Sequence, residues 1–135
     1  MRRIFMVVSL VVMTIMFAGC QSGSGGGAQA PQSTAELKQA IGSGKKTIVF
    51  FLNPQGGPCR AQNDILTKLY QDRGGNFNIA YVSAMKPEDQ QAFYDYGVRN
   101  LPTVVLVDGS GKINRNFAPG IQPYEALAAA LDGAK

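Results

Sequence analysis

Histidine is absent from all 135 residues. That removes the commonest general base and the commonest side-chain metal ligand. Carboxylates are sparse as well: the nine Asp and Glu residues are scattered, with no pair that must face across a cleft. A hydrolase built on two carboxylates has no support here. Cationic surplus is slight. The formal charge of +4 includes Arg2 and Arg3; without those two it is +2, and no basic cluster exceeds Lys45-Lys46, so nucleic acid is not an expected partner. No metal and no cofactor are expected. Cysteine occurs only twice, at Cys20 and Cys59. A long membrane-crossing run is missing too, because the apolar stretch Ile4 to Phe17 falls short of the roughly 20 residues a bilayer span needs.

The N-terminus reads as an export signal, with a basic start at Met1-Arg2-Arg3 and a charge-free apolar run after it. The run closes on Phe17-Ala18-Gly19-Cys20, which resembles the lipobox of bacterial lipoproteins, with Phe17 where that family usually has an aliphatic residue. The resemblance implies removal of residues 1–19 and acylation of Cys20. It also implies a periplasm-facing chain held on a membrane by lipid, and Gln21 rather than Asp favours the outer membrane. An ordinary secretory signal cut nearby, or an uncleaved anchor, is the alternative. Residues 20–33 are rich in Gly and Ser and are expected to be a flexible tether without secondary structure. Residues 34–135 leave room for one domain. If Cys20 carries lipid, Cys59 stands alone in an oxidising compartment that favours paired cysteines.

Within residues 34–135 the pattern alternates. Ser33-Thr34-Ala35-Glu36 has capping-box form, Ser or Thr with Glu three residues on, and opens a helix carrying Leu37, Ala40 and Ile41. Thr47 to Leu52 is a continuous β-branched and aromatic run, as in a strand buried on both faces. Cys59 to Tyr70 has Ile65, Leu66 and Leu69 on one helical stripe, and Phe77 to Val82 is a second strand. Pro87-Glu88-Asp89 opens a helix that ends near Gly97. Thr103 to Val107 and Lys112 to Phe117 make a hairpin around Asp108-Gly109-Ser110-Gly111, and Pro123 to Leu131 is a final helix. The order predicts an α/β layered architecture with helices on both faces.

Two motifs narrow this further. Gln55-Gly56-Gly57-Pro58-Cys59 follows the first strand, and Val98-Arg99-Asn100-Leu101-Pro102-Thr103 precedes the third. They resemble the Cys-Gly-Pro-Cys stretch and the Ile-Pro-Thr segment of the thioredoxin family, over roughly Thr34 to Leu131. Asp108 to Lys112 and Pro119-Gly120 match the same family. The resemblance implies a thioredoxin-like fold with a cis Pro102 facing the active-site turn. It lacks the first strand, because the tether occupies that place, and so predicts a trimmed four-stranded mixed sheet.

Carried over by position, the nucleophilic cysteine is Gly56 and the resolving one is Cys59. Glycine has no sulfur, so the two-cysteine exchange cycle cannot run within one chain. Phe50 stands where the family buries an acid, and Gln55 replaces its tryptophan. An apolar Phe50 beside Cys59 desolvates the thiol, and the expectation is an inert sulfur acting as a small buried hydrophobe. A reactive monothiol and a cysteine paired with another protein are the alternatives. Gly56-Gly57 reads either as a tight turn needing free backbone angles or as an open helix N-terminus that accepts a carbonyl or anion. Gly56, Gly57, Pro58, Leu101 and Pro102 are the expected binding residues, since the family pairs the backbone before the proline with substrate. The expected function is a peptide- or protein-binding or folding-assistance module of the cell envelope, tied to thiol-redox processes without autonomous dithiol activity. Its partner would be an envelope protein or peptide. The rival is a thiol–disulfide oxidoreductase working through Cys59 with an external thiol to resolve it. Whether the chain is an enzyme is left open by the residues themselves.

Overall fold

The computed structural model describes residues 27–135. The expected signal over 1–19, the lipidation site Cys20 and the glycine run to residue 26 lie outside the described residues.

Four strands form one mixed sheet in the order β2-β1-β3-β4, over Thr47–Leu52 (β1), Asn78–Ser83 (β2), Thr103–Val107 (β3) and Ile113–Asn116 (β4). β1 runs parallel to β2 and antiparallel to β3, with Phe51 opposite Thr103. β3 and β4 form an antiparallel hairpin with a register shift at Leu106/Val107. The trimmed four-stranded sheet and its flanking helices are as expected. Helices α1 (Ala35–Gly42), α2 (Gly57–Asp72), α3 (Gln90–Asp95) and α4 (Tyr124–Gly133) complete the chain, a short 3-10 turn over Pro87–Asp89 leading into α3.

Side-chain alternation along β1 divides the interior into two cores. Ile48 and Phe50 point to one face, where α2 and α4 supply Leu66, Leu69, Leu127 and Leu131. Val49 and Phe51 point to the other, against Leu37 and Ile41 of α1 and Ala92 of α3. The continuous apolar run of β1 is therefore the signature of a strand covered on both sides.

Three local expectations change. The cap of α1 is Thr34, whose hydroxyl accepts the Leu37 N–H at 3.1 Å. Glu36 does not complete a capping box; its carboxylate accepts the Tyr81 N–H at 2.8 Å. β2 is an edge strand, and an unpaired edge N–H needs an acceptor. The helix expected after Pro87 starts as a 3-10 turn, with buried Asp89 turned back to accept the Ser83 N–H at 2.7 Å. The tether expected over 20–33 does not extend to Ser33. Ala30 is only 2% exposed, and Gln29 bridges antiparallel to Lys112, so the packed part of the chain begins ahead of Thr34.

Candidate functional site

The sheet end that carries the first motif is built by the turn from β1 into α2. Asn53 accepts the Gln55 N–H on its side-chain oxygen at 3.0 Å, and the Gly56 N–H on its carbonyl at 2.9 Å. This Asx turn reverses the chain, and α2 then starts at Gly57 with Pro58 in its first turn. Gly56 caps the helix without any side-chain bond, so the first-turn N–H groups have no side-chain acceptor from their own cap.

Neither glycine uses the backbone freedom of its residue type. Gly56 sits at φ −78° and ψ 132°, ordinary extended backbone, and neither it nor Gly57 has positive φ. A Cβ at Gly57 would meet nothing within 4 Å. A need for permissive backbone angles therefore fails for both residues, and the one constraint left is at Gly56, where a Cβ would crowd the Asn53 carbonyl oxygen at 3.3 Å. What the two glycines do is leave the helix opening bare.

Cys59 lies in the first turn of α2, at 3% exposure, and is a free cysteine. Its sulfur accepts the Asn53 N–H at 3.4 Å, and it belongs to the same core as Phe50. The Phe50 ring meets Tyr81 edge-on, with centroids 5.9 Å apart. Burial raises the Tyr81 phenol above its usual range, with Glu36 adding to the effect. A shallow depression of about 560 Å³ opens beside Cys59, lined by Leu52, Pro54, Arg60, Asn63, Asp64 and Tyr81.

The second motif arrives at the same end. Phe51 is opposite Thr103, which sets Pro102 alongside Leu52 where β1 enters the glycine turn. The Leu101–Pro102 bond is cis, as expected. Pro102 is buried, and Leu101 packs against both cores. Gly56, Gly57, Pro58 and Cys59 thus share one sheet end with Leu101 and Pro102. Among the described residues no three His, Cys, Asp or Glu side chains converge as a metal site, and no helix is long and apolar enough to cross a membrane.

Two contributors went unread in the sequence. Gln62 is fully buried: its amide donates to the Gln122 carbonyl at 3.2 Å and its oxygen accepts the Gln122 N–H at 2.5 Å. The loop so tied also gives the Gly120 N–H to the Pro102 carbonyl at 2.9 Å. One loop therefore links the Cys59 helix to the cis proline. Between those two bonds it presents Ile121, an apolar side chain 47% exposed. A lone Ile between Pro-Gly and Gln-Pro was its only sequence signal. Of the aromatics after Pro87, Phe93 and Tyr96 pack edge-on against Phe51, each at 5.2 Å, whereas Tyr94 is 87% exposed.

Comparison with known proteins agrees with this layout. The sequence model of the family described as "Thioredoxin-like domain" matches residues 34–135. Thioredoxin 1 of Nostoc sp. is 27% identical over 105 residues, covering 78% of this chain and 94% of that protein. Among solved structures, Fasciola hepatica thioredoxin superposes with a TM-score of 0.63 at 23% identity, covering 77% of this chain and 97% of that one. The pneumococcal exposed lipoprotein thioredoxin of Streptococcus pneumoniae gives 0.58 at 18% identity, covering 68% and 88%. By fold, by the placement of its two motifs and by sequence, this chain belongs to the thioredoxin-like domain family.

Proposed function

We propose that the chain is an envelope lipoprotein in which the thioredoxin-like site binds an extended peptide or protein segment in thiol-redox related processes, without dithiol turnover of its own. The observation that carries this reading is the bare helix opening. Gly56 removes the nucleophile although its backbone needs no positive φ, and with Gly57 it gives α2 no side-chain cap, so that the Gly57 and Cys59 N–H groups stay uncapped at the sheet end of Leu101-Pro102. Such donors suit a carbonyl or carboxylate, and an extended backbone can pair with the chain ahead of a proline turn. Pro58, Ile121 and Met85 are exposed around that end and offer apolar contact. Lipid on Cys20, with the outer membrane as destination, would hold the domain on the periplasmic side. The pneumococcal neighbour, named an exposed lipoprotein thioredoxin, supports the pairing of this fold with such an anchor.

The rival, a monothiol exchange protein, draws on one observation: Cys59 is among the residues lining the depression beside α2. Binding of a reduced, alkylated and therefore unfolded polypeptide, which carries no disulfide to exchange, tests the binding reading, and capture of a disulfide-bearing polypeptide tests the rival. The binding reading expects Cys59→Ala to bind as the parent does. It expects Gly57→Trp, whose side chain has open space to occupy, to lose binding while keeping its fold. Full binding by Gly57→Trp would overturn this proposal, and a mixed disulfide formed with a disulfide-bearing polypeptide by the parent but not by Cys59→Ala would favour the rival.

A further inference from the structure

The segment ahead of α1 is fastened to two elements at once. Along the outer edge of β4, the Ile113 N–H donates to the Ala28 carbonyl at 2.8 Å and the Ala30 N–H to the Gly111 carbonyl at 2.9 Å. With Gln29 opposite Lys112, this is a short antiparallel strand addition. A Cβ on Gly27 would collide with the Ile113 carbonyl oxygen, so only glycine lets the chain lie this close to the edge. Ala30 then enters the core that holds Val49, Phe51 and Val105.

The second fastening is on α3. The Tyr96 hydroxyl donates to the Pro31 carbonyl at 2.7 Å, and the Ser33 hydroxyl donates to the Asp95 carboxylate. Burial, with Asp95 adding to it, keeps the Tyr96 phenol well above its usual range, so it remains a donor. Asp95 and Tyr96 end α3, and the next residues, Gly97 to Asn100, lead straight into Leu101-Pro102. α3 spans only Gln90–Asp95, far shorter than a helix that holds itself. Its end stays in place through packing: Phe93 and Tyr96 on Phe51, and the Pro31 and Ser33 bonds. Arg99 and Asn100 are exposed, and the loop is otherwise tied by the Gly97 N–H to the Tyr94 carbonyl at 3.1 Å, the Val98 N–H to the Phe93 carbonyl at 2.9 Å, the Gly120 N–H to the Pro102 carbonyl at 2.9 Å and the Thr103 hydroxyl to the Asn100 carbonyl at 2.6 Å.

We propose that Gly27–Ser33 is a strap that positions the Gly97–Pro102 loop, so that the stretch joining the anchor to the domain sets the geometry of the binding site. In role this deepens the proposed function, yet the strap itself needs neither lipid on Cys20 nor a bound peptide. Amide hydrogen exchange on the full chain tests it. Gly27→Val should release the β4 fastening. Exchange should then rise at Ala30 and Ile113, whose bonds are lost, and also by about tenfold or more at Gly97, Val98 and Gly120, while β1 amides keep their protection. Tyr96→Phe removes only the hydroxyl and should raise exchange at Gly97, Val98 and Gly120 without touching Ile113. Faster exchange confined to Ala30 and Ile113 in the first variant would overturn the proposal. Should Gly27→Val unfold the whole domain, Tyr96→Phe decides alone: unaltered Val98 and Gly120 would overturn it. Neither result depends on the peptide-binding experiment, so the two readings fail separately.

Discussion

Installing a cysteine at position 56 puts the carried-over geometry to a quantitative test. A Cβ built on Gly56 lies 3.8 Å from the Cys59 Cβ and 3.7 Å from its sulfur. Disulfides have Cβ–Cβ separations of about 3.5–4.5 Å, centred near 3.8 Å, so Gly56→Cys should close onto Cys59 with little backbone movement. The backbone at φ −78° and ψ 132° suits an L-residue. The only crowding is the Asn53 carbonyl oxygen at 3.3 Å, which must give by a few tenths of an ångström. Loop-closure entropy for so short a loop is worth about 2 kcal/mol at 25 °C in the chain-entropy account. For a domain of this size that corresponds to a rise in Tm of about 10 °C for the oxidised over the reduced variant. Thiol titration should fall to zero in the signal-free, Cys20-blocked protein on mild oxidation, and melting with and without reductant reads the shift. Catalysis should remain poor, because Phe50 stands where the family buries an acid and packs in the same core as Cys59. Failure to oxidise, or an oxidised form that melts below the reduced one, would mean the turn has diverged from a disulfide-ready shape and Gly56 does not stand in the nucleophile's place.

Three further outcomes follow from named contacts. Gln62→Ala removes both bonds to Gln122 and leaves a void in α2; it should cost about 3 kcal/mol, read from urea unfolding, and a loss below a tenth of that would refute its role as the loop's tie. Phe50→Asp, which restores the family's acid, buries a lone carboxylate among Ile48, Leu66 and Val104 and should destabilise by on the order of 4 kcal/mol or more; retention of parent stability would show a partner for that acid which the core lacks. Several carboxyls lie below the ordinary 3.8, among them Asp132 held by Arg73, Asp95 by Ser33 and Gln91, and Asp72 by Lys68 and Tyr124. A depressed folded-state pKa gives stability that is present above the unfolded value and lost as pH falls through the folded one. Tm should therefore fall as the solution is acidified below about pH 4, and Asp132→Asn should flatten part of that fall; an unchanged slope would remove Asp132 from the account.

The sequence exposed the parts of this fold that physical pattern marks strongly. β1 and β3 could be read because a strand covered on both faces must be apolar throughout. The cis proline and the altered cysteine turn came from their resemblance to a family, with no help from periodicity. What stayed hidden lacks any pattern. Gln29-Ala30-Pro31-Gln32 carries no repeat, and a strand addition held by two backbone bonds and one buried alanine leaves almost no mark in composition. Glu36 fits a capping box in sequence, but the free edge of β2, invisible until the sheet is assembled, claims its carboxylate. Gln62 lies on the buried side of α2 as a polar residue, and only the position of Gln122, distant in sequence, explains it. Gly56-Gly57 was ambiguous between backbone need and open surface, and the dihedral angles decide for open surface.

Whether this thioredoxin-like domain binds without turning over disulfides is tested most directly by reduction of a protein disulfide such as insulin's in the presence of a small-molecule reductant. Cys59 is 3% exposed, with its sulfur held by the Asn53 N–H and no second cysteine at position 56. The predicted result is a rate equal to that of the reductant alone, and identical for the parent and for Cys59→Ala. A rate above that background which disappears in Cys59→Ala would contradict the account and make Cys59 a working nucleophile.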